Sequence, residues 1–394
     1  MADTTTVPPD ERARVAALTD ELLAGHGHDS EATFLGAQFD AGLAWVHFPP
    51  GRGGLGLAPK LQEVVDGRLE QAGRRSSWTR NPMGIGMVAP TLVAWGSEGH
   101  QAHLRRIWTA EDLWCQLFSE PGAGSDVATL ATRAVGDGDE WVVDGQKVWT
   151  SLAHRARWGL LLARTDPDVP KHAGLTAFIL DMEAAGVEVR PLRQMSGDAT
   201  FNEVYLSGVR IPDALRVGPV GEGWRVAVTT LMNERVSIGG NVEPRGSGPI
   251  ADLLDVWQAR RALVAGAERD RVARLWVEAE VLRLGNLRAQ QLRQAGTPGP
   301  EGSVLKLGGA LLVQRIAEAA VDLLGPEGTL HDYRLPSYGG AGGPVGTFLA
   351  AQGATIAGGT TQIMRNIVGE RVLGLPGEPR ADKDVPWSAI PKGV

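Results

Sequence analysis

Apolar and polar positions along the chain change their period twice. Between about Asp10 and Thr109 the apolar residues recur at helical spacing: Val15, Leu18, Leu22 and Leu23 form one stripe, and Leu61 to Leu69 and Met87 to Trp95 form two more. That recurrence gathers side chains on one face of a helix and predicts a helical N-terminal region. From Leu113 to about Val217 the runs are short, alternating or wholly apolar. Trp158 to Arg164, Leu175 to Asp181, Val187 to Arg190 and Val204 to Val209 are separated by Gly and Pro. Such spacing predicts strands of a small sandwich or barrel. From Gly221 helical spacing returns, with a long leucine-bearing segment at Glu278 to Gln294 and another at Val304 to Leu324 that Gly325-Pro326 stops. Pro336 to Gly346 reads as a glycine-dense loop. The expected class is α+β in the order helical, β, helical, divided at 1–112, 113–220 and 221–394.

The stretch from Leu113 to Thr165 organises the rest. Leu113, Cys115 and Leu117 alternate as in a half-buried strand. Ser119-Glu120-Pro121-Gly122-Ala123-Gly124-Ser125-Asp126 then breaks the strand, and its glycines let backbone approach a ligand closely. Gly136-Asp137-Gly138-Asp139 and Asp144-Gly145 read as turns on either side of a short strand, Trp141 to Val143. Lys147-Val148-Trp149-Thr150-Ser151 follows, with an aromatic and two hydroxyls at a strand end. Pattern alone gives an antiparallel β region with a ligand loop.

Composition narrows the classes of partner. With 394 residues, 43% of them hydrophobic, the chain can bury a sizeable core. A single cysteine, Cys115, excludes an intramolecular disulfide and points to a reducing, cytoplasmic setting. Met1 to Arg14 is polar and argues against a secretory signal, and no run is long enough to span a bilayer. A net charge of −7 gives no global attraction for nucleic acid, so an anionic cofactor needs local donors. His26 and His28 lack partners at ligand spacing and read as a solvated linker, so no metal is assigned.

Ser119 to Asp126, followed by Gly145 to Ser151, resembles the flavin-binding signature of the acyl-CoA dehydrogenase family. Ile356-Ala357-Gly358-Gly359-Thr360-Thr361-Gln362-Ile363-Met364-Arg365-Asn366-Ile367, running on to Pro376, resembles the family's C-terminal signature in its bacterial branch. Gly53-Gly54-Leu55-Gly56 after Trp45 is a weaker N-terminal echo. The resemblance implies a helical N-terminal domain, a central β-sandwich or barrel and a C-terminal four-helix bundle. It also implies FAD as cofactor, an acyl-CoA or carrier-bound acyl substrate, and lipid metabolism. Electrons would pass to an electron-transfer flavoprotein or another acceptor.

By the same resemblance Gln116, Phe118 and Ser119 face the flavin pyrimidine and ribityl region. Trp149 covers the ring, Ser151 hydrogen-bonds near its reactive nitrogen, and Thr360 and Gln362 reach the adenosine side. An aromatic plane and a hydroxyl donor suit a ring that gains electron density. A helix starting near Thr360 would offer free N–H groups to a phosphate. Ser125 belongs to the thioester side; from sequence alone it reads as an N-cap or turn serine.

The family's usual glutamate before Gly-Thr is replaced by Gly358, which has no side chain to take a proton. Some members carry the base on an earlier helix, immediately before an arginine, and Glu234-Arg235 matches that segment. Ala227, Leu231, Glu234 and Ile238 share a face at helical spacing, with Thr230, Asn233 and Ser237 on a polar side. A carboxylate on an apolar stripe has its pKa raised toward that of a useful base. Arg235 is then a helix anchor or an orienting charge on the substrate side. The N–H of Gly358 remains able to polarise the thioester carbonyl. The family's Arg-x-x-Phe-Gly contact to a neighbouring subunit's cofactor is missing, with Arg260 or Arg261 as possible substitutes. The expected assembly is a homodimer or homotetramer, or a heteromer in which this chain is an incomplete partner. A same-fold flavoenzyme running oxygenation or elimination is a further alternative.

Overall fold

The computed structural model describes residues 8–74, 77, 80–238, 242, 244–262, 266–294, 301–334, 342–377, 379 and 382–390, with the side chains of 234–238 and 293–294 outside that set. Contacts group the chain into two compact units. One comprises Met1–Leu192, Phe201–Ser237 and Arg380–Val394; the other comprises Arg193–Thr200 and Ile238–Pro379.

The first unit begins with six helices: α1 (Pro9–His26), α2 (Glu31–Asp40), α3 (Gln62–Gln71), α4 (Ala89–Trp95), α5 (Glu98–Gln101) and α6 (Leu104–Trp108). The stripe on α1 buries Val15 and Leu22, and α2 is capped by Ser30, whose Oγ accepts from the Thr33 N–H at 3.3 Å. His26 is taken up by Asp29, with Nδ1 at 2.8 Å from its carboxylate.

Eight strands follow, β1 (Trp114–Leu117), β2 (Arg133–Asp137), β3 (Glu140–Ser151), β4 (Trp158–Arg164), β5 (Leu175–Asp181), β6 (Val187–Leu192), β7 (Phe201–Pro212) and β8 (Arg216–Val217). They form one mixed sheet in the order β6-β7-β3-β2-β4-β5-β8, with β1 parallel to β4. β4 shows why its sequence is continuously apolar: Leu160 and Leu162 enter the core shared with the N-terminal helices, while Leu161 and Ala163 enter a second core with Phe178, Leu206 and Ile211. A strand buried on both faces has no polar alternation to show.

One expected turn is not a turn. Asp144-Gly145 lies inside β3, where the register against β7 slips between Val143 and Gly145. The slip puts an extra residue on β7, and the Gly208 N–H donates to Asp144 Oδ1 at 2.8 Å. Gly145 is needed for close approach: a Cβ there would lie 2.4 Å from Thr132 Oγ1. The sequence signal was therefore a bulge and a tight contact, and the expected short strand is the first part of a long one.

The helix α7 (Gly223–Ile238) closes this unit. It buries Val226, Ala227 and Thr230, and Thr230 Oγ1 lies 3.0 Å from Thr91 Oγ1. Thr230, expected on a polar side, thus sits in the packed face. Its hydroxyl is satisfied by Thr91 and by the Val226 carbonyl one turn earlier.

The second unit is helical: α8 (Pro249–Arg260), α9 (Gly266–Gln294), α10 (Glu301–Leu324), α11 (Gly343–Ala351) and α12 (Thr361–Arg371). α10 packs against the other four, and Ile250, Leu253, Leu275, Leu312, Ile316 and Leu323 form its core. α9 starts well before Glu278; its first turns are charged on several sides and show little stripe, so periodicity does not mark them. Residues 336–341 of the expected loop lie outside the described residues, and its residues 343–346 are not loop but the first turn of α11, which Pro344 can open because a first-turn residue needs no N–H donor. No helix among the described residues is long and apolar enough to cross a membrane.

Candidate active site

The signature loop after β1 is built on a buried ion pair. Lys147 of β3 is fully buried, and its Nζ donates to Glu120 Oε1 at 2.8 Å, Leu162 O at 2.8 Å and Phe118 O at 3.1 Å. Glu120 also accepts the backbone N–H groups of Ala131 and Thr132, at 2.6 and 2.9 Å. Burial pushes the Glu120 carboxyl up, but the Lys147 charge and these donors outweigh it and hold it below the usual carboxylate range. Burial pulls the Lys147 ammonium down to about 8 against the pull of Glu120. Glu120 and Ala123 exchange two backbone hydrogen bonds, at 3.0 and 3.1 Å, so Pro121-Gly122 forms the loop tip. Neither charge was given a role from sequence, because the residues are far apart in the chain and meet only when β3 pairs.

Gln116 is half-buried on β1, Phe118 is buried, and Ser119 is half-buried with its carbonyl accepting from the Val148 N–H at 2.9 Å. Ser125 is exposed; the short helix Val127–Thr129 takes Asp126, not Ser125, as its N-cap. That loop is also tied from outside. Lys171 Nζ reaches Asp126 at 2.6 Å and Asp382 at 2.5 Å, and Trp387 Nε1 donates to Thr129 O at 3.0 Å. Arg164 is buried, donates to the carbonyls of Ala128 and Leu130 at 2.6 and 3.1 Å, and lies 4.4 Å from the Trp387 ring centroid.

Trp149 is 61% exposed and has φ 59°. A bulky residue in the left-handed region costs about 1–3 kcal/mol and persists where the surroundings impose it. Here the cause is a second slip of β3 against β7, between Lys147 and Thr150, which turns the indole outward and sets it edge-on to Phe201 at 6.1 Å. Ser151 is half-buried two residues on, and Thr150 Oγ1 is buried without a hydrogen-bond partner among the described residues. An open aromatic face beside hydroxyls suits a planar heteroaromatic ligand, so these residues fit an isoalloxazine ring.

In the second unit Gly358 and Gly359 have φ 62° and 92° and lead into α12, where Thr360 Oγ1 caps by accepting from the Ile363 N–H at 3.2 Å. Gln362 is exposed in the first turn. The free N–H groups of that turn suit an anionic group. Glu234 and Arg235 are on α7 by backbone, and their side chains lie outside the described residues. Arg260 is paired with Glu327, and Arg261 is exposed. A cavity of about 180 Å³ is lined by Ile250, Trp276, Leu282, Leu312 and Ile316, with Glu280 among its polar residues, and none of the predicted site residues lines it. Among the described residues no cluster of three or more His, Cys, Asp or Glu is placed to hold a metal ion.

Sequence profiles of the acyl-CoA dehydrogenase middle domain and C-terminal domain match residues 115–209 and 221–373. The chain belongs to the acyl-CoA dehydrogenase family, whose members are FAD-dependent oxidoreductases. It is 42% identical to acyl-CoA dehydrogenase FadE34 of Mycobacterium tuberculosis over 86% of this chain, and it spans 45% of that relative's length. It is 38% identical to acyl-CoA dehydrogenase IpdE1 of the same organism over 86% of each chain. Among solved structures it resembles the Tcur3481-Tcur3483 steroid ACAD at 27% identity and a TM-score of 0.71, covering 95% of this chain and 100% of that one.

Proposed function

We propose that this chain binds FAD and introduces a 2,3 double bond into a bulky acyl-CoA thioester. The observation that carries the reading is Trp149, an exposed indole held at positive φ beside Ser151 at the end of β3. When bound, FAD accepts the β-hydrogen as hydride. Glu234 takes the α-proton. Its backbone place on α7, four residues beyond buried Thr230 and seven beyond buried Ala227, supports that role. The Gly358 N–H polarises the thioester carbonyl where enolate charge develops. Gln116, Phe118 and Ser119 line the flavin on the first unit, Thr360 and Gln362 bind its adenosine half, and Ser125 and Arg235 serve the thioester. The likeness to a steroid ACAD supports a ring-bearing acyl group.

The test is Glu234→Gln. General-base loss lowers the rate by about 10²–10⁴-fold, so flavin should stay bound while its anaerobic reduction by substrate collapses. Undiminished reduction removes Glu234 from the role. A second reading, in which the chain is the incomplete member of a heteromer, is favoured by the pairing of Arg260 with Glu327, which occupies one of the two candidate substitutes, Arg260 or Arg261, for the missing inter-subunit arginine. Full turnover by the chain purified alone would exclude it. Electrons then leave to a separate flavoprotein or another acceptor.

A further inference from the structure

One helix holds the turn that carries the proposed carbonyl-polarising N–H. From α10, Lys306 Nζ donates to Ala354 O at 3.0 Å and to Gly359 O at 2.5 Å. Two turns further along α10, Gln314 Nε2 donates to Ala351 O at 3.2 Å and Thr355 Oγ1 at 3.4 Å. These two side chains therefore grip the connection between α11 and α12 near its start and near its end. Between the grips the backbone passes through positive φ at Gly358 and Gly359 before Thr360 caps α12.

Lys306 spends its charge unusually. It is half-buried, and no carboxylate is paired with it among the described residues. Burial lowers its pKa. A neutral amide suffices at the Gln314 end, whereas the glycine end uses a cation. A cation there fixes carbonyls more strongly than a neutral donor and adds positive potential to the start of α12.

We propose that Lys306 is the positioning residue for the Gly358 N–H: by holding the carbonyls of Ala354 and Gly359 it fixes the peptide group that meets the developing enolate oxygen. Lys306 itself touches neither substrate nor cofactor. This rests on the proposed dehydrogenase reading, because a fixed donor accelerates only a reaction that builds negative charge at that oxygen.

Lys306→Met keeps the length and apolar stem, and Lys306→Arg keeps the charge. Both are compared with the wild-type flavin-bound protein. Amide hydrogen exchange across 354–364 should speed up tenfold or more in Lys306→Met and stay near wild type in Lys306→Arg. Exchange unchanged in Lys306→Met overturns the proposal. In stopped-flow reduction by acyl-CoA, the limiting rate of Lys306→Met should fall tenfold or more with KM within twofold, and Lys306→Arg should recover most of it. An undiminished rate, or a loss confined to KM or to flavin content, also overturns it. If no thioester reduces the wild-type flavin, the dehydrogenase reading has failed by itself, and the exchange data still decide whether Lys306 holds the turn.

Discussion

Two lysines fix two glycine-bearing loops, and they do so in different electrostatic settings. Lys147 is fully buried and gathers the carbonyls of Phe118 and Leu162 together with the Glu120 carboxylate. Lys306 is half-buried and, among the described residues, gathers only the carbonyls of Ala354 and Gly359. A charge taken wholly out of water requires a counter-charge, whereas one that keeps part of its hydration can manage with carbonyls. The first arrangement therefore belongs to the stability of the β region. The second can be altered at smaller cost to the fold, which suits a group tuned for a reaction.

That contrast is broken most directly by removing the buried cation. Lys147→Met leaves Glu120 charged and unpaired and should cost about 3–5 kcal/mol, read by denaturant unfolding. The double variant Lys147→Met with Glu120→Gln should recover much of that loss, because no isolated charge remains; a double loss equal to the sum of the two single losses would mean that the pair adds nothing as a pair. Lys306→Met removes hydrogen bonds but strands no carboxylate, so its cost should be about 1–2 kcal/mol. A loss as large as that of Lys147→Met would erase the distinction between the two regions.

Acid sharpens the comparison further. The folded-state pKa of Glu120 lies below its unfolded value, so its stabilisation is complete above about pH 5 and is lost as pH falls through the depressed value. The melting-temperature gap between wild type and Glu120→Gln should shrink over that range, while the gap to Lys306→Met should hold. The smallest effect is expected at the edge of the same loop. Trp387→Ala removes the ring over Arg164 and the bond to Thr129 O, at a cost of about 1 kcal/mol. It should also raise KM for the thioester, because the Asp126 loop loses an outside tie.

Periodicity made the local elements legible. Trp158–Arg164 and Leu175–Asp181 are strands over the expected residues, and Val304 to Leu324 lies within α10, which ends at the expected Gly325. Thr360 caps its helix where the family resemblance implied a helix start. What sequence hid depended on distant partners. Asp144-Gly145 looks like a turn because the same residues serve a bulge packed on Thr132. Thr230 looks like a surface position because nothing nearby announces Thr91. Glu120 with Lys147, Lys306 with Gly359, and Trp387 with Arg164 are each assembled across long separations, so spacing could not reveal them. Family resemblance marked Gln116, Trp149 and Gly358 as candidates; it did not show what holds their loops.

The most direct measurement is an anaerobic visible-absorbance titration of the purified protein with short, long, branched and ring-bearing acyl-CoAs. Bleaching of a bound flavin band by stoichiometric acyl-CoA, strongest with the ring-bearing thioester, is the predicted result. A flavin band that no thioester bleaches, or a protein that binds no flavin, would contradict dehydrogenation by this chain alone.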